Sequence, residues 1–223
     1  MKQAQIPEVE ANELDAVADH LQFLAPDSDA AAALGCYLVK STGRGNRLIS
    51  RREWRSLPAD SRTSATPVLP GDFLVNWGAF GVSFVNHYAL YAGSLSDEKC
   101  GYVVEVESCV DASSVINVAL ALWRIVTRGY TPGKIAAHRD ASEMAWNYGP
   151  RGRGTRRRVA RYDSDIGLAQ RVRRLRTCAR FLRATKARRR WKYDFLMYNC
   201  KAWVHEMDGQ WKEDRPQCLH SGR

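Results

Sequence analysis

Two side chains in this sequence, Cys200 and His87, sit in frames suited to nucleophilic chemistry. Cys200 follows Asn199 within YDFLMYNCKAWV, residues 193 to 204, at the expected start of a helix packed by Phe195, Leu196, Trp203 and Val204. His87 lies in NHYALYAG, residues 86 to 93, on an expected strand and on the face shared by Ala89 and Tyr91. A thiol attacks as its thiolate, and a helix amino terminus and a nearby imidazole both favour that form. The imidazole takes the proton and returns it to a leaving group, while a third polar group holds its tautomer. Backbone N–H groups beside the cysteine stabilise an oxyanion. Glu105, on the next expected strand, is the candidate for the third role. Each residue also has a structural reading: a single helical cysteine is commonly a small buried hydrophobe, and a strand glutamate commonly faces solvent. The other five cysteines show no paired metal spacing, so neither a zinc site nor any other cofactor is expected.

The elements that must position these groups fall into three parts. Residues 1–69 form an extension that opens acidic, with Glu8, Glu10, Glu13, Asp15, Asp19, Asp27 and Asp29 against a single lysine. Val9, Leu14, Val17, Leu21 and Leu24 recur at helical steps there, and Pro26 ends the pattern. The stretch from Ser56 to Pro70, with three prolines and several Ser and Thr, has the composition of a linker. Residues 70–208 form the main domain. Its first half predicts strands at 72–77, 84–92, 102–107 and 134–138, short aromatic and β-branched runs bounded by glycine that suit an antiparallel meander. Its second half is basic: residues 151–192 carry 17 Lys and Arg against Asp163 and Asp165. The segment is expected to be a basic helix over 151–192, with Leu168, Val172, Leu175, Ala179 and Leu182 marking one apolar stripe on it. Residues 209–223 form a tail. The expected class is α+β, a small antiparallel sheet packed against helices.

The quoted motifs GDFLVNW (71–77), NHYALYAG, YVVEVE (102–107) and YDFLMYNCKAWV together resemble the lecithin:retinol acyltransferase-like family, which includes the viral H-box/NC proteins. Its pattern of His-aromatic-Ala-hydrophobic-Tyr-x-Gly is met by His87, Tyr88, Ala89, Leu90, Tyr91 and Gly93. Its Tyr, Asn-Cys, aromatic and Val are met by Tyr193, Asn199, Cys200, Trp203 and Val204. The resemblance implies a permuted papain-like fold of the NlpC/P60 type, in which the histidine precedes the cysteine; here they are 113 residues apart. Many members carry a second histidine where Glu105 falls, so the orienting residue here is acidic or another group, with His138 and Asp140 in reserve. The usual Asn-Cys-Glu-His-Phe reads Asn-Cys-Lys-Ala-Trp.

The resemblance implies a thiol acyltransferase or hydrolase that takes phospholipid acyl esters, Cys200 forming the thioester and His87 acting as base. In that reading the basic helix docks on anionic headgroups. A second reading is a non-enzymatic viral or host interaction protein of the H-box/NC type that binds RNA or an anionic membrane through the basic helix; with RNA, its arginines meet phosphates and Tyr162, Phe181 and Trp191 stack bases. A third keeps the thiol and takes an amide, as in the amidases of the parent fold. The net charge of +10 fits an anionic partner without choosing among them. The longest apolar run, from Val115 to Val126, contains Asn117 and Arg124 and is too short to span a bilayer, so membrane contact is expected to be peripheral. The acidic opening lacks the basic-then-apolar order of a secretory leader, and a cytoplasmic location with reduced thiols is expected.

Overall fold

A computed structural model describes residues 8–24, 32–41, 45–76, 87–108, 115–128, 131–138, 159–162, 166–188, 191–193 and 200–210. Alternating apolar residues in the middle of the chain build a six-stranded antiparallel sheet from β4 (Phe73–Asn76), β5 (His87–Gly93), β6 (Tyr102–Ser108), β7 (Thr131–His138), β8 (Val159–Tyr162) and β9 (Trp191–Tyr193). Its order is β8-β4-β5-β6-β7-β9, so the four expected strands form the expected meander. The fold is α+β. A second sheet, absent from the sequence reading, is made by β1 (Cys36–Ser41), β2 (Gly45–Ile49) and β3 (Thr66–Val68) in the order β2-β1-β3.

The central strands β4, β5 and β6 are covered on both faces. On one face Phe73, Val75, Tyr88, Leu90, Val104 and Val106 pack against helices α1 (Glu8–Gln22), α5 (Leu168–Arg188) and α6 (Cys200–His205). On the other, Leu74, Ala89, Tyr91 and Val103 meet Cys36, Leu38, Leu48 and Val68 of the smaller sheet. The remaining helices are α2 (Arg51–Ser56), α3 (Ala59–Thr63) and α4 (Val115–Arg128). Ser50 caps α2 by accepting from the Glu53 N–H, satisfying one of the free donors of its first turn.

Two expectations about the flanks change. The stretch from Ser56 to Pro70 holds α3 and β3, and β3 tolerates Pro67 because it is an edge strand with no second neighbour to receive an N–H. The basic segment 151–192 is divided among β8, α5 and β9 rather than forming one helix, although the apolar stripe of α5 lies where expected, with Leu175, Ala179 and Leu182 buried.

The acidic α1 lies along the basic α5. Ala11, Leu14, Val17, Ala18 and Leu21 share the core with the α5 stripe. At the rim Arg176 pairs with Asp19 at 2.9 Å and Arg183 with Asp15 at 2.5 Å. Arg171 and Arg174 turn the opposite way, into the protein. Asp72, fully buried at the turn before β4, accepts from Arg171 at 2.7 Å and from the Leu69 N–H at 2.8 Å, with Arg161 3.2 Å away. Arg174 pairs with Asp208 at 2.6 Å, donates to the Gly71 carbonyl and lies over the Phe73 ring. Gly71 has φ +86°, and a Cβ there would meet the Arg171 backbone at 2.9 Å, so this junction requires glycine.

Candidate functional site

The two motifs occupy neighbouring elements. Cys200 is the first residue of α6, as expected, and α6 packs on β5, whose first residue is His87. Cys200 is buried, 5 % exposed, in the cluster that contains Tyr88, Leu90, Val104, Val106, Trp203 and Val204. Trp203 and Val204 anchor the helix from its inner side, and Trp203 meets Phe181 of α5 with ring centroids 5.9 Å apart.

Glu105 is 2 % exposed, so it does not face solvent. It lies directly across from Ala89 on β5 and Ala136 on β7. Side chains alternate between faces along a strand, and Ala89 and Tyr91 belong to the cluster shared with the smaller sheet, whereas Tyr88 and Leu90 belong to the cluster of Cys200. Glu105, paired with Ala89, therefore belongs to the face that α6 does not cover. The backbone of His87 is in register with Asn76 of β4. The backbone of His138 is in register with Val103 of β6. The side chains of His87 and His138 lie outside the described residues, as does Asp140.

Two other described cysteines, Cys36 and Cys178, differ from what a nucleophile needs. Burial pushes the Cys178 thiol far up, and burial together with the neighbouring Cys100 does the same to Cys36. Tyr91, whose hydroxyl donates to the Cys100 carbonyl at 2.5 Å, is also raised by burial. These groups stay protonated and fill the interior. Cys109 and Cys218 lie outside the described residues. Among the described residues, no group of three His, Cys, Asp or Glu side chains is arranged to hold a metal ion, and no helix is long and apolar enough to cross a membrane.

The charged surface inferred for α5 is partly taken up within the protein, although Arg173 and Arg180 are exposed. Arg171 and Arg174 are buried, and Arg176 and Arg183 are paired to α1. Phe181, a candidate base-stacking residue, is fully buried against Trp203 and cannot stack on a nucleotide. The side chains of Tyr162 and Trp191 lie outside the described residues. The acidic partners of these arginines lie from 34 to 168 residues away along the chain, a distance at which charge spacing carries no signal. Scanned against protein-family models, and searched against curated proteins and solved structures, the chain gives no match.

Proposed function

We propose that the chain is a cysteine-dependent acyltransferase or hydrolase acting on phospholipid acyl esters, with Cys200 as nucleophile and His87 as general base. The observation that carries this reading is the packing of α6 on β5: it makes neighbours of the elements that begin at Cys200 and His87, 113 residues apart in the chain. Glu105 shares the Ala89 face, which α6 does not cover, so the reading rests on the neighbouring starts of β5 and α6 rather than on a third residue. Cys200 Sγ attacks the acyl carbonyl as His87 accepts the thiol proton, and that proton passes to the departing lysolipid alcohol. An amine, alcohol or water then attacks the thioester, releasing the acyl group and restoring the thiol.

Incubation with phosphatidylcholine is expected to add one acyl mass to Cys200, detectable by mass spectrometry, and Cys200→Ala abolishes it. His87→Ala slows acylation about a hundredfold or more, the usual contribution of a positioned base. It also slows iodoacetamide labelling of Cys200, which a purely structural histidine would not do in a folded variant. Absence of both adduct and fatty-acid release across several phospholipids overturns the reading.

A further inference from the structure

We infer that the outward face of α4 is a docking surface for an anionic lipid bilayer, on which the helix lies in the plane of the headgroups. The sequence of this helix, VINVALALWRIVTR, is apolar at most positions, holds no acid, and has Arg124 and Arg128 as its only charged residues. A broad apolar helix face is ordinarily enclosed by protein or by lipid. Here the helix packs on β7, yet Leu120, Trp123 and Val126 are 49 %, 65 % and 81 % exposed. The other large exposed apolar residues, Phe23 and Leu95, stand elsewhere in the sequence and form no stripe with them.

The arrangement on the helix is asymmetric. At about 100° per residue, Val126, Ala119, Trp123 and Leu120 fall within one arc, with Thr127 between the last two, and Arg124 and Arg128 fill the arc beside it. Fourteen residues at about 1.5 Å each extend about 21 Å, short of the ~30 Å hydrocarbon thickness, so the helix suits lying in the interface rather than crossing it. Tryptophan belongs at the headgroup level, and an apolar arc edged by arginine is the pattern of an interfacial helix. Charge selects the anionic lipid. A second copy of α4 would bring arginines together with no acid on the helix to pair them. RNA would gain nothing from Leu120 and Val126, which have no ring on which a base can stack.

This surface does not depend on Cys200 being reactive, and its test reads binding alone. The full chain is sedimented with phosphatidylcholine vesicles, with and without phosphatidylserine. Binding is expected only with the anionic lipid. Trp123→Ser is expected to weaken it about tenfold, from the transfer free energy of a large apolar side chain. Arg124→Gln and Arg128→Gln are each expected to weaken it about fivefold. Circular dichroism verifies that the variants remain folded, and Arg173→Gln, an exposed α5 change, is expected to bind as the parent does. Wild-type levels of binding in Trp123→Ser overturn the inference, as does failure of the parent chain to sediment with anionic vesicles. A Trp123-dependent dimer, or Trp123-dependent RNA binding without vesicle binding, overturns it in favour of those partners.

Discussion

Helices α4 and α5 invert what their compositions suggest. The helix crowded with arginine is the one built into the molecule: Arg171 and Arg174 bind Asp72 and Asp208, and Arg176 and Arg183 bind Asp19 and Asp15 of α1. The helix with almost no charge is the one that presents Leu120, Trp123 and Val126 to solvent. Local composition reports what a segment has to satisfy, while the rest of the chain decides where that satisfaction comes from. For α5 the anions are protein carboxylates from three other places in the sequence. For α4 no described protein element covers the outer face.

The contrast can be broken most severely at Asp72. Asp72→Ala leaves Arg171 and Arg161 without their buried anion and is expected to destabilise the fold by about 3–5 kcal/mol, read from the midpoint of urea unfolding. A loss below about 1 kcal/mol would mean that the arginines are solvated and α5 is not held through them. A smaller effect is expected at the rim. Double-mutant cycles on Arg183–Asp15 and Arg176–Asp19, whose side chains are all at least about one-third exposed, should each return about 0.2–1 kcal/mol of coupling, diminishing as salt is raised. The smallest effect belongs to α4: Trp123→Ser should leave the unfolding midpoint within about 0.5 kcal/mol of the parent, because the side chain is already mostly in water. A large loss there would show that Trp123 supports the fold, and the difference between the two helices would disappear.

Much of the larger sheet was legible because its strands are short, β-rich and separated by glycine; the expected runs at 72–77, 84–92, 102–107 and 134–138 correspond to β4, β5, β6 and β7. The helical spacing of Leu14, Val17 and Leu21 likewise identified α1. The smaller sheet was missed because GNRLI is polar at its start and TPV contains a proline, permitted only by its edge position. β8 was hidden by the arginines around VARY, which read as part of a charged helix. At the site, the beginnings of β5 and α6 were legible from NHYALYAG and NCKAWV. Which face of β5 the helix covers was not. Alternation sorts residues into two sets, but only packing assigns one set to α6 and the other to the smaller sheet. For the same reason Glu105 read as solvent-facing on its own strand: its burial is imposed by layers formed from distant segments.

The clasp between the acidic and basic helices also bears on how the molecule is made. The side chains that join them are 154 to 171 residues apart. On the ribosome, Leu14, Val17 and Leu21 therefore emerge long before their cover is synthesised, and closure of this layer is a late, long-range event. Until then the nascent chain carries an apolar helix face open to chaperones and to other unfinished chains.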